Sequence, residues 1–226
     1  MTVALNPLDA APFILDPGVR VVVAGYTGRD EAEVRRHIDE LAAIGVAPPP
    51  QVPMVYPMAT ELLTTAESLT VAGDNTSGEV EPVYIRHADD WYLGVGSDHT
   101  DRTLETVDIG ASKQACPKPM GPVVAPIDDW AALDFDACQA SSVVDGVTYQ
   151  QGALAGLRGP SDLLKVLIGR DNTLADGDLV VFGGTLPLLD GTFVPGTGWQ
   201  LSITLPDGTE LSHSYTVTTK TEKGTH

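Results

Sequence analysis

The chain has 226 residues, 42% of them hydrophobic, with 31 acidic against 13 basic side chains and a formal net charge of −18. That length suits one domain with a sizeable core, and the hydrophobic content excludes wholesale disorder. So few bases in so acidic a chain exclude a nucleic-acid binder, which needs clustered Lys and Arg to neutralise phosphates, and a protein that docks on an anionic membrane surface. No apolar run approaches the ~20 residues of a membrane span. No base precedes Arg20, so no secretory signal is predicted. Cys116 and Cys138 are the two cysteines, which is no disulfide framework, and a reduced cytoplasmic setting is expected.

Short Gly and Pro clusters punctuate the whole chain, which fits many short strands and not a helical bundle. Val19 to Ala24 reads as a buried strand ending in the turn Gly25-Tyr26-Thr27-Gly28. Asp30 to Ile44 reads as a helix, with Asp30 and Glu33 placed as a capping box and Gly45 as a stop. Val34, His37, Ile38 and Leu41 share its apolar face. After Pro48-Pro49-Pro50, Gln51 to Pro57 is strand-like. Glu79–Arg86 and Trp91–Gly96 predict a hairpin around Ala88-Asp89-Asp90. Ser161–Gly169 predicts a second helix and Asp178–Phe182 a strand. Trp199–Leu205 and Glu210–Thr218 predict a terminal hairpin around Pro206-Asp207-Gly208. The pattern is β-rich α+β: an N-terminal extension over residues 1–18, then a single domain over 19–226. The stretch Thr100–Tyr149 shows the weakest periodicity.

Five constellations carry candidate chemistry. Glu79 and Glu81 lie two apart in a strand, on one face and about 7 Å apart along the chain. Such a pair repels unless a cation sits between, and a hard divalent ion takes oxygen ligands. Asp98 and Asp101 follow in Ser97–Arg102, either able to complete an all-carboxylate set. His37 and Glu40 are helix neighbours at i, i+3, the pairing that orients an imidazole as a general base. Lys113 and Lys118 stand in a Pro-rich turn. Gly183-Gly184-Thr185 follows a buried strand and offers backbone N–H groups and a hydroxyl to an anion. Each also fits a plain structural role: a solvated strand face, a polar loop, a surface pair, a rigid loop, a tight turn.

Taken in order, these motifs resemble the fumarylacetoacetate hydrolase family, whose catalytic domain is a distorted β-roll, and within reach of it an uncharacterised group of short bacterial proteins. The chain offers Ala24-Gly25-Tyr26, His37/Glu40, Pro48–Pro53, Glu79/Glu81, Ser97–Glu105, Lys113 with Pro119-Met120-Gly121-Pro122, Asp145-Gly146 with Gln150, Gly177-Asp178 and Gly184-Thr185. The resemblance spans roughly residues 20–215. It implies a distorted mixed β-roll or β-sandwich with few short helices. Glu79, Glu81 and Asp98 would be ligands of Mg2+ or Mn2+, with Asp101 as the other third ligand. His37 and Glu40 would be a water-activating dyad on a helix lying over that site. Arg102, Lys113 and Gln150 would contact substrate or transition state, and Thr185 the substrate carboxylate. A homodimer is also implied. Glu105 stands where the family has Gln, and Pro82 directly after Glu81 predicts an edge or bulged strand.

The function this implies is a divalent-metal enzyme on a small 2-oxo acid or 1,3-dicarbonyl, with C–C bond hydrolysis through a stabilised enolate. Decarboxylation, isomerisation or hydration at the same site is the alternative within the class. A non-catalytic binding module on the same fold is the rival outside it.

Overall fold

In a computed structural model the chain is described over residues 2–43 and 48–220. Two short strands open it, β1 (Ala4–Pro7) and β2 (Phe13–Ile14). The apolar run that follows becomes β3 (Arg20–Gly25), buried continuously from Val21 to Ala24. Such a run marks a strand covered on both faces. The Asp30 carboxylate accepts from the backbone N–H of Ala32 and Glu33, starting α1 (Glu31–Ala43). Four strands follow: β4 (Met54–Met58), β5 (Leu63–Thr64), β6 (Ser68–Val71) and β7 (Thr76–Ser77). They lead to the long hairpin of β8 (Val80–His87) and β9 (Asp90–Ser97). Its turn has φ of 50° at Ala88 and 72° at Asp89, and paired positive φ values suit the twist of a two-residue hairpin.

Short elements then occupy the stretch of weak periodicity: β10 (Thr100–Asp101), α2 (Arg102–Glu105), α3 (Ile109–Gln114), β11 (Lys118–Pro119) and β12 (Val123–Ile127). Asp101 caps α2 and Asp108 caps α3. A polar hairpin follows, β13 (Gln139–Val144) and β14 (Val147–Ala153), then α4 (Pro160–Arg170) with proline in its first turn. The chain ends in β15 (Leu179–Phe182), β16 (Gly198–Thr204) and β17 (Glu210–Thr219).

The strands build a mixed eight-stranded sheet, β2-β1-β12-β9-β8-β15-β3-β4, and a five-stranded one, β14-β13-β16-β17-β6, with two-stranded pieces β10-β7 and β11-β5 between them. This is the distorted β-roll with few helices. The large sheet is apolar on both faces. Val22, Tyr84, Leu93 and Val181 pack with Trp199, Leu201 and Ile203 of the smaller sheet and with Leu163 and Leu167 of α4. Val21, Val23, Val83, Ile85 and Phe182 face the other way, against Leu5, Leu63 and Met120. Among the described residues no helix is long and apolar enough to cross a membrane. Cys116 and Cys138 are buried free thiols.

Residues 1–18 supply β1 and β2, which extend one side of the large sheet through the parallel pairing of β1 with β12. One expectation changes. Pro82 is not on an edge strand, because β8 pairs with β9 on one side and β15 on the other. Its carbonyl accepts from Gly183 N–H at 2.9 Å, so its nitrogen also faces β15. The β8–β15 register runs only as far as Val83 and Phe182, so the proline removes a donor where that ladder ends.

Candidate active site

The open end of the β8–β9 hairpin gathers the charged residues. Glu81 is buried where β8 passes the end of β15, and its carboxylate accepts from Gly184 N–H at 2.9 Å. Gly184 has φ 102°, and a Cβ there would lie 1.7 Å from the Thr27 hydroxyl oxygen, so only glycine lets this turn reach the carboxylate. Asp98 follows β9 and is buried between two lysines, both also buried. Lys113 Nζ donates to one oxygen, and Lys118 Nζ lies 3.1 Å from the other. Lys118 also donates to the His99 carbonyl at 2.6 Å. Glu79 turns to Arg102, whose Nη2 donates to it at 3.0 Å. Three carboxylates and three cations thus share one buried patch.

Their ionisation follows from this arrangement. Burial raises the Glu81 carboxyl well above the usual carboxylate range, and the charges of Asp98 and Glu79 push the same way; Lys113 and the Gly184 N–H oppose it. Burial likewise raises Glu79, against the pull of Arg102 and Lys113. Burial would also raise Asp98, but Lys113 and Lys118 overcome it and hold the group far below its ordinary value. Burial lowers the Lys118 ammonium despite Asp98, whereas Asp98 and Glu79 outweigh burial at Lys113 and raise it. His99, adjacent to Asp98, is pushed down to about 3 by burial and by the charges of Lys118 and Arg102. Both its ring nitrogens are bonded, Nδ1 to Tyr215 at 3.2 Å and Nε2 to Thr76 at 2.9 Å, so it is a neutral core histidine.

The structure brings Glu79, Glu81, Asp98, Arg102 and Lys113 together, and links Gln150 and Thr185 to the same strand. Gln150 Oε1 accepts from Val80 N–H at 2.9 Å and Ser142 at 3.0 Å; its Nε2 donates to Thr185 at 2.8 Å and the Leu186 carbonyl at 2.7 Å. Thr185 donates to the Val80 carbonyl at 2.8 Å. Gln150 therefore has its amide capacity met inside the protein and braces the strand between the two glutamates. Arg102 is committed similarly: Nε to the Ser77 hydroxyl at 2.6 Å, Nη1 to Glu105 at 2.8 Å and Nη2 to Glu79. Asp101 is taken up by capping α2 through the N–H groups of Thr103 and Leu104. The His37 and Glu40 side chains lie outside the described residues; their backbone belongs to α1, which has no buried side chain among those described.

Sequence reasoning missed an aromatic rim. Lys113 Nζ sits 5.6 Å from the Tyr56 ring centre, and the Phe193 ring lies 3.7 Å from the Arg102 guanidinium carbon. Tyr26, half-buried with φ 56°, feels the charges of Lys113 and Glu105. Tyr56 is pushed up to about 12 by burial first. Lys118, placed with Lys113 in the Pro-rich turn, is fully buried on Asp98.

As the side chains are placed, no three of the described His, Cys, Asp and Glu residues are grouped to hold a metal ion. The donor set nevertheless suits a hard divalent cation: buried Glu81 and Asp98 with partly buried Glu79, and Glu81 has no protein cation bonded to it among the described residues.

The fold is that of the fumarylacetoacetate hydrolase family. The structure of fumarylpyruvate hydrolase from Pseudomonas aeruginosa, in complex with Mn2+ and pyruvate, matches with a TM-score of 0.64 at 17% identity, over 97% of each chain. The 5-carboxymethyl-2-hydroxymuconate delta-isomerase from Mycobacterium smegmatis matches at 0.58 and 16%, over 94% of this chain and 87% of that one. The 2-hydroxyhepta-2,4-diene-1,7-dioate isomerase from Mycobacterium marinum matches at 0.56 and 14%, over 95% and 79%. In sequence, the chain belongs to the family described as protein of unknown function (DUF2848), which matches residues 24–215. No curated protein matches it in sequence.

Proposed function

We propose that the chain is a divalent-metal-dependent enzyme acting on a small 2-oxo acid or 1,3-dicarbonyl, with hydrolysis of a C–C bond as its reaction. The observation that carries this is Glu81: a carboxylate buried beside two others whose hydrogen bond comes from a neutral backbone N–H. Burial opposes the ionisation of this carboxyl, and a cation placed beside it is what would favour the charged form. Glu79, Glu81 and Asp98 would hold Mg2+ or Mn2+, and the fumarylpyruvate hydrolase with Mn2+ and pyruvate supports that assignment. When bound, such an ion supplies Lewis acidity that polarises an oxo group and stabilises an enolate.

The remaining roles fall to the chain's own residues. Lys113, held cationic by Asp98 and Glu79, faces the patch as a fixed positive charge for a substrate carboxylate or a developing oxyanion. The turn Gly183-Gly184-Thr185 fixes Glu81 from the other side through the Gly184 N–H. His37, oriented by Glu40, is the proposed base that takes a proton from water, with α1 as the element that carries it to the site. A homodimer is the proposed assembly.

Titration calorimetry of the protein with MnCl2 and MgCl2, on the native chain and on Glu81→Gln, tests the site. Binding by the native chain and at least a tenfold loss in the variant are expected; equal binding by both, or none by the native chain, refutes it. A screen of 2-oxo acids and 1,3-diketones then tests the reaction. His37→Ala is expected to retain ion binding and lose turnover, and full turnover in that variant removes His37 from the mechanism.

A further inference from the structure

Arg102 is the arginine of the site, and its hydrogen-bonding edges are already occupied. A planar guanidinium recognises a carboxylate through a two-pronged edge. Here Glu105 holds Nη1 at 2.8 Å, Glu79 holds Nη2 at 3.0 Å and Ser77 holds Nε at 2.6 Å. Its face is covered by Phe193 at 3.7 Å. Burial acts against its charge, but Glu79 and Glu105 outweigh it and keep the group firmly protonated. The carboxylate that a ligand would bring to Arg102 is thus already supplied by the protein itself.

The charge count agrees. Glu79, Glu81, Asp98 and Glu105 face Arg102, Lys113 and Lys118, four carboxylates against three cations. A divalent ion on the glutamates would leave one positive charge, enough for one carboxylate. A second carboxylate further out would meet Glu105 with no cation to spare. What stands there instead is aromatic and apolar. Tyr26 and Tyr56 lie near Lys113, Phe193 lies over Arg102, and Val194 follows Phe193 on the loop after β15. Phe193 and Val194 remain 42% and 44% exposed, so their apolar surface is open to a ligand.

We propose that the outer end of this site selects an uncharged apolar or aromatic tail and rejects a second carboxylate, with Glu105 and Phe193 as the specificity-determining residues. The proposal rests on the functional reading above, in that the oxo-acid head occupies the ion and Lys113. It makes the substrate a monocarboxylic oxo acid carrying a hydrocarbon tail.

The test is calorimetry on the full chain in the presence of MnCl2 with three probes. Pyruvate carries the oxo-acid head group with only a methyl beyond it. 2-Oxohexanoate and 2-oxoadipate have the same carbon count and differ in the terminal carboxylate. The native chain is expected to bind 2-oxohexanoate at least tenfold more tightly than 2-oxoadipate. Glu105→Gln is expected to shrink that ratio several-fold by admitting 2-oxoadipate. Phe193→Ala, at a position 42% exposed, is expected to shrink it by weakening 2-oxohexanoate. Pyruvate binding with a ratio at or below one overturns the tail assignment and leaves the head site standing. So does a ratio that neither variant changes. Failure of pyruvate to bind at all overturns the functional reading, and this inference with it.

Discussion

The two ends of the β8–β9 hairpin both bury charge, and they treat it differently. At the turn end Arg86 donates to the carbonyls of Gly177 at 2.9 Å and Leu174 at 2.8 Å, and His87 meets Asp178 at 2.8 Å under a stacked Phe13. Arg86 and His87 there find their match in neighbouring backbone or a single side chain. At the open end four carboxylates, Glu105 included, meet three cations, and Glu81 is the one with no cation bonded to it among the described residues. One hairpin therefore has a closed end that contributes stability and an end left short of positive charge. A protein that needed only a stable strand pair would have no use for that second arrangement, because unmatched buried charge is costly.

This contrast can be broken from either side. The largest effect is expected from Asp98→Asn, which leaves Lys113 and Lys118 buried against a neutral group. Breaking a buried pair costs about 3–5 kcal/mol, read as a drop in the urea midpoint; a loss near zero would mean that the lysines do not depend on Asp98. Arg86→Met at the turn end should cost about 1–3 kcal/mol, because two buried carbonyls lose their donor. It should leave Mn2+ affinity unchanged, and any loss of affinity would join the two ends functionally. Glu81→Gln should do the reverse, raising the melting temperature by the equivalent of about 1 kcal/mol as a buried group beside two other carboxylates loses its capacity to ionise. The same variant should no longer be stabilised by added Mn2+.

The smallest effect concerns His213, outside both ends. Burial lowers its pKa, with weaker opposing effects from the Ala66 backbone and Glu67, and its Nε2 has no partner among the described residues. In the unfolded chain it takes up a proton below about 6.5, whereas the folded chain resists this. Its contribution to stability is therefore present above that value and lost as pH falls through it. The slope is at most about 1.4 kcal/mol per pH unit. Urea midpoints at pH 7.5 and 5.0 should differ less in His213→Gln than in the native chain.

Local patterns gave the apolar strands away. Val19–Ala24 and Asp178–Phe182 are runs that water excludes in any context, and they form β3 and β15. The two hairpins were legible from alternation and turn residues. Thr100–Tyr149 was not, because its elements are two to six residues long and capped by aspartates that look like ordinary loop residues. In the candidate site, the carboxylates announced themselves by spacing and motif order. Lys118 did not, since lysine is ordinarily a surface residue and only the third dimension places its ammonium on Asp98. The same holds for Phe193, 91 positions beyond the arginine it covers. Gln150 shows the opposite failure. Its position fitted a substrate contact, yet hydrogen-bond accounting assigns its whole amide to the scaffold.

The margins of the large sheet carry a consequence for assembly. One margin is β2, only two residues long, and the other is β4, interrupted by Pro57, which has no N–H to offer. The Pro57 carbonyl is itself engaged by Gln114 at 2.7 Å. Neither border offers a long unbroken row of donors to a further strand, so this sheet is a poor template for backbone pairing between molecules. Copies of this chain that meet over its margins do so through side chains, and that contact then responds to single surface substitutions rather than to the register of a shared sheet.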